Sequence, residues 1–177
     1  MFPVVHLPIN SNGTKYSLHH LQPTRVFLAG HGRDGGTISI RISYHTHVYS
    51  IADQDDATAH QFSDEGGKRR YFCVKRYQHS LALPEICKSM IEQNYPTWIS
   101  KDRNTKNNMA VTDLNPKDGL RYVILYSLTP SHAPQIDVEV IIKSAYEKYI
   151  NNIGKLKKLG VRQIIKKCYF ENIPIPK

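Results

Sequence analysis

The sequence predicts an α+β fold: a mostly antiparallel sheet of about five to six strands, a central helix and a basic C-terminal helix. Three observations carry this. First, Thr37–Ile51 alternates, with Ile38, Ile40, Ile42, Tyr44 and Val48 set against Ser39, Arg41, Ser43, His45, His47 and Tyr49. A period of two places each set on its own face of a strand. Second, Leu83, Ile86, Cys87, Met90 and Ile91 fall on one stripe of a helix. Third, the strand patterns do not alternate with helical ones, so no parallel sheet is built.

Residues 1–23 are rich in Pro, Asn, Ser and His and predict an irregular segment with one short strand at Val4–Leu7. Arg25–Ala29 is a strand, and the glycine cluster Gly30–Gly36 is its turn into Thr37–Ile51. That cluster lacks the Gly-Lys-Ser/Thr ending of a phosphate loop. Asp53–Arg69 is acidic and then glycine- and arginine-rich, and reads as a mobile surface loop. Tyr71–Tyr77 is a second strand. Ser80 caps a helix that runs to about Gln93, with Pro84 tolerated in its first turn. Thr97–Ser100 and Met109–Thr112 are strands around the polar loop Lys101–Asn108. Leu120–Leu128 and Ile136–Ala145 are rich in Val, Ile and Tyr and form a hairpin through Thr129–Pro134. From Tyr146 the chain reads as a basic helical segment broken at Gly160, and 172–177 is a Pro-rich tail.

The chain has 177 residues, which suits a single domain over 1–177. No stretch has the roughly 20 apolar residues of a membrane-spanning helix, and the N-terminus lacks the pattern of a secretory signal. Cys73, Cys87 and Cys168 are odd in number and widely spaced, which argues against a disulfide framework or a zinc cage and for a reducing cytoplasm. Lys and Arg total 24 against 15 acids, a net charge of +9. An excess of this size points to a polyanionic partner. Nucleic acid is favoured over membrane, since no basic segment carries the apolar face of an interfacial helix. A serine hydrolase is excluded by the missing Gly-x-Ser-x-Gly elbow.

Ser43–Tyr49 holds the most suggestive chemistry. On a continuous strand, His45 and His47 would point the same way, about 7 Å apart. Two imidazoles reaching one phosphodiester can act as general base and general acid without a metal. His-x-His also occurs in metal sites, but no third ligand stands at recognisable spacing. Lys75 or Arg41 would neutralise the phosphate. Lys68–Tyr77 interleaves cations and aromatics, so Arg69, Arg70, Arg76 and Tyr77 are candidates for binding nucleic acid. It does not match the signature of an RRM.

Ile141–Tyr146 follows at the end of the last strong strand. There Ser144 and Tyr146 share a face, with Lys143 on the other unless the strand bulges. Ser144-Ala-Tyr146, together with His45 and His47, resembles the late-strand Thr/Ser-x-Tyr signature of EndoU-like ribonucleases and of the wider barnase–EndoU–colicin–RelE superfamily of RNase toxins. Lys143 and Glu147 stand where that family usually has a glycine and a proline. The resemblance implies cofactor-free cleavage of RNA through a 2′,3′-cyclic phosphate. Its catalytic residues would be His45, His47, Lys75 or Lys143, Ser144 and Tyr146, and a toxin of this kind implies an acidic inhibitor protein. RNA is thus favoured over DNA. The alternative is a non-catalytic protein that binds nucleic acid or blocks a nucleic-acid site.

Overall fold

The computed structural model describes residues 5–52, 60–102, 105–115, 120–150 and 158–176. Its strands are β1 (Ile9–Ser11), β2 (Thr14–Tyr16), β3 (Thr24–Leu28), β4 (Ile38–Tyr44), β5 (Ser50–Ile51), β6 (Gln61–Ser63), β7 (Arg69–Phe72), β8 (Pro96–Asp102), β9 (Thr105–Asn115), β10 (Leu120–Pro130), β11 (Val138–Tyr149) and β12 (Leu159–Gly160). Its helices are α1 (Val74–Ser80), α2 (Leu83–Glu92) and α3 (Val161–Glu171).

The α+β class holds, but the main sheet has seven strands, in the order β12-β8-β9-β10-β11-β4-β3. Every neighbouring pair is antiparallel except β11 and β4, which run parallel one strand in from the β3 edge. A small separate sheet, β5-β7-β6, stands beside it. No helix among the described residues is long and apolar enough to cross a membrane.

Alternation divides the main sheet into two faces. Val26, Ile40, Ile42, Ile124, Tyr126 and Val140 enter the larger core with Leu83, Met90 and Ile91 of α2 and Ile164, Ile165 and Cys168 of α3. Val123 of β10 points the other way, into a smaller cluster with Trp98 and Met109. The larger cluster takes in side chains from Ile9 to Ile175, so both ends of the described chain contribute to it. The tail is held at Ile175, whose backbone N–H and C=O pair with Leu128 at 2.9 and 2.7 Å.

Several expectations change. Thr37–Ile51 is not one strand. The N–H of His45 makes a last bond to Ile142 O at 2.9 Å, and the chain then enters a 3₁₀ turn over Thr46–Val48. Glu65 draws it aside by accepting from the Thr46 N–H at 2.6 Å and the Thr46 hydroxyl at 2.9 Å.

Asp53–Arg69 is not a loop throughout: 53–59 lie outside the described residues, while β6 and β7 form a hairpin across Asp64–Lys68. The Asp64 carboxylate closes it by accepting the N–H groups of Gly66 and Lys68 at 2.9 and 2.8 Å.

Tyr71–Tyr77 leaves the strand at Phe72 and becomes helical from Val74, where Lys, Arg and Gln supply helix propensity that outweighs the aromatic start. The polar loop Lys101–Asn108 is mostly paired strand, because β8 and β9 continue their register out to Asp102 and Thr105.

Finally, β11 extends to Tyr149, and Gly160 begins a helix rather than breaking one. A Cβ there would lie 2.6 Å from Asn94 Oδ1, the atom that caps α3 by accepting the Arg162 N–H at 2.9 Å. Of the basic segment Lys155–Lys158, only Lys158 is among the described residues. Val5–Leu7 are not in a strand.

Candidate active site

The turn after β4 presents His45 and His47, each facing a carboxylate. His47 Nε2 donates to Asp64 Oδ2 at 2.9 Å, and His45 Nδ1 lies 3.8 Å from Glu65 Oε2. Both rings are partly accessible, with side-chain exposures of 22% for His45 and 34% for His47. Burial depresses the pKa of His45, helped by His47 and Lys143 and opposed by Glu65 and Asp64. Burial alone would raise the pKa of Asp64, but the bonds from His47, Lys68 and Gly66 outweigh it and hold it low. His47 thus helps to pin the β4 turn to the β6–β7 hairpin, while His45 lies beyond hydrogen-bond distance of Glu65.

A second arrangement, on the other side of Arg76, is richer in chemistry. Helix α1 packs on β11 and leaves a cleft of about 170 Å³. Lys75, Arg76 and His79 of α1 line it, at spacings that share one helical face. Tyr122 of β10 and Tyr146 and Glu147 of β11 line the opposite side. Tyr122 and Glu147 are direct cross-strand partners, as are Val123 and Tyr146. The Glu147 carboxylate bridges the two walls, pairing with Lys75 Nζ and accepting from His79 Nε2 at 3.1 Å. The bond from Lys75 holds the Glu147 pKa below the usual carboxylate range, with His79 assisting. In return, Glu147 raises that of Lys75. The His79 ring lies 5.7 Å from that of Tyr122. Arg76 sits 5.4 Å from the centre of the Tyr146 ring, while its Nη1 donates to His47 O at 3.0 Å and Ser50 O at 2.7 Å. Arg76 thus joins the cleft to the histidine turn.

The structure scatters the other predicted residues. Arg41 is held by Glu139 across β4 and β11, Nε to Oε2 at 2.9 Å and Nη2 to Oε1 at 2.6 Å. Arg70 is buried, at 8% exposure, and bonds the backbone and hydroxyl of Ser50 at 2.9 and 3.2 Å. Neither guanidinium lies open on a binding surface. Tyr77 is half-buried, packed edge-on to Tyr16 and beside Phe72, so it supports the core. Arg69 is exposed on β7. On β11 the register slips between Ser144, opposite Leu125, and Ile142, opposite Tyr126. Lys143 is the extra residue of this bulge, and it and Ser144 lie half-exposed between the buried Ile142 and Ala145. Among the described residues, no group of three or more His, Cys, Asp or Glu side chains is placed to hold a metal ion.

The sequence profile of the YjaZ family matches residues 8–169, nearly the whole described fold. The chain belongs to the YjaZ family. No curated protein and no solved structure matches it.

In this YjaZ-family chain, sequence reasoning placed Lys75, Arg76 and Tyr146 in the cleft's neighbourhood but did not single out His79, Tyr122 or Glu147. The signal for His79 was available: Lys75 and His79 are four apart, one helical turn, but a strand reading of Tyr71–Tyr77 hides that period. Glu147 was hidden because β11 was expected to stop near Ala145. Tyr122 has no local signal, since it looks like any inward tyrosine of a strong strand.

Proposed function

We propose that this chain cleaves RNA by metal-independent acid–base chemistry in the cleft between α1 and the β10–β11 hairpin. The observation that carries the reading is the His79–Glu147 contact of 3.1 Å, set between two cations in one accessible cleft. In the proposed step, the Glu147 carboxylate takes the 2′-hydroxyl proton as O2′ attacks phosphorus. The P–O5′ bond breaks, and His79 in its protonated form gives its proton to the leaving oxygen. The products are a 2′,3′-cyclic phosphate and a free 5′-hydroxyl. Lys75 and Arg76 offset the charge that develops on the phosphorane oxygens. Substrate phosphate then takes over the contact that Lys75 makes with Glu147 at rest.

The net charge of +9 supports a polyanionic substrate. Of the residues that the EndoU-like resemblance puts forward, Lys75 and Tyr146 belong to this cleft. His47 ties the adjoining turn to Asp64, His45 stands in that turn, and Ser144 lies at the bulge of β11. A nuclease of this type, in a cell, calls for an acidic protein that covers the cleft. The test is incubation with total RNA in excess EDTA, with fragment ends mapped. Fragments ending in 2′,3′-cyclic phosphate support the proposal. RNA that is bound but stays intact leaves the cleft as the site of a binding protein.

A further inference from the structure

One polar atom in the cleft wall has no partner. Tyr122 is only 1% exposed, and its hydroxyl makes no hydrogen bond among the described residues. An unmade bond at a buried hydroxyl costs the full loss of its hydration, so such atoms are rare in folded proteins. The hydroxyl of the fully buried Tyr44 is likewise unpartnered, but Tyr44 does not line the cleft, and two other deep tyrosines avoid the cost. Tyr126, four residues along the same strand, donates to Thr97 Oγ1 at 2.8 Å, and the Tyr49 hydroxyl meets His6 Nδ1 at 3.2 Å. A phenylalanine at 122 would fill the same core position without the orphaned atom.

The surroundings say what would satisfy it. The ring of Tyr122 lies against that of His79, and its charged neighbours are Arg76 and Glu147. Burial raises the pKa of the phenol, so the hydroxyl keeps its proton and can donate at any physiological pH. Both bonds that Arg76 makes to backbone use Nη1, and its side chain lines the cleft. Lys75, the preceding residue of the helix, has a largely exposed side chain paired with Glu147. A phenolic donor, a guanidinium and an ammonium therefore line one cleft, a set of donors that suits a phosphate.

We infer that Tyr122, Arg76 and Lys75 form a phosphate subsite, in which the Tyr122 hydroxyl donates to a non-bridging oxygen of an RNA phosphodiester. This deepens the proposed function and rests on it for the identity of the substrate. Tyr122 is then a binding residue kept at the expense of the fold: its hydroxyl is unfavourable in the free protein and satisfied only when a phosphate is seated.

The probe is a short 2′-O-methyl RNA oligonucleotide, which lacks the attacking hydroxyl and cannot be cleaved by this route. Its affinity is read by fluorescence anisotropy at low salt, for wild type and for Tyr122→Phe, with the melting temperature of each. Tyr122→Phe should bind at least about tenfold more weakly, as expected for a lost bond to a charged group, while melting at the same temperature or higher. Tyr126→Phe is the control and should show the reverse, a lower melting temperature with unchanged affinity. Three results would overturn the inference: no binding of the probe by wild type, equal affinity for Tyr122→Phe and wild type, or weaker binding by Tyr122→Phe with a lower melting temperature. Cleavage of unmodified RNA by the same proteins separates this inference from the function it rests on. Binding that depends on Tyr122 without cleavage by wild type leaves the subsite standing and removes the nuclease. Cleavage and binding unaffected by Tyr122→Phe do the opposite.

Discussion

Arg76→Met tests whether one side chain really couples the histidine turn to the cleft. The methionine keeps the aliphatic stem and its packing but removes the guanidinium. Two bonds are lost, Nη1 to His47 O at 3.0 Å and to Ser50 O at 2.7 Å. Hydrogen bonds from a charged donor contribute about 1.5–3 kcal/mol each. The second is partly backed up, since Ser50 O also accepts from Arg70 Nη2 at 2.9 Å. Only His47 O is therefore stranded. Contact with the Tyr146 ring adds about 0.5–1 kcal/mol, and release of a half-buried cation from its desolvation offsets part of the loss. The net expectation is about 2–3 kcal/mol of destabilisation, or a melting temperature lower by roughly 4–10 °C in a chain of this size. Denaturant unfolding followed by circular dichroism measures it. A midpoint within about 0.5 kcal/mol of wild type would refute the coupling, because that is the range of an inconsequential surface change.

Two further outcomes follow from charge. Nucleic-acid affinity should fall steeply with salt, with a log–log slope of about −3 or steeper, as several cations displace counterions from phosphates. A titration series at increasing salt checks this, and an affinity indifferent to salt would remove nucleic acid as the partner. Stability should also fall on acidification. His6, His20 and His45 have pKa values depressed mainly by burial, so below the ordinary histidine value the unfolded chain binds protons that the folded chain does not. Each fully shifted histidine then removes up to about 1.4 kcal/mol per pH unit. Asp64 and Glu147, both held low, contribute stability that is lost only at still lower pH, as it falls through their folded values. Denaturant midpoints at about pH 7.5 and about pH 5.5 check the histidine contribution, and equal midpoints would contradict it.

Much of the sheet was legible because period-two alternation reports burial directly. The strands read at Arg25–Ala29, Leu120–Leu128 and Ile136–Ala145 follow from it, and the apolar stripe from Leu83 to Ile91 follows from the helical period. The misses have physical causes. In Ser43–Tyr49 the alternation continues on paper, but Glu65, distant in sequence, captures Thr46 and turns the chain. In Tyr71–Ser80 the aromatic start favours a strand while Lys75 to Gln78 favour a helix, and the boundary falls between them at Cys73. The cleft was half legible. Lys75, Arg76 and Tyr146 stood out by charge and motif. His79 and Glu147 meet only because α1 packs on β11, a tertiary contact with no sequence period behind it.

The central claim is that His79 and Glu147 perform chemistry on RNA, and His79→Ala tests it most directly. The comparison is the initial cleavage rate of a defined RNA in excess EDTA, wild type against variant, with binding of the uncleavable oligonucleotide measured alongside. Loss of a general acid should lower the rate roughly 10²–10⁴-fold. Probe affinity should stay nearly unchanged, since Lys75, Arg76 and Tyr122 still face the phosphate. Cleavage at the wild-type rate by His79→Ala, or no EDTA-resistant cleavage by wild type at all, would contradict the account.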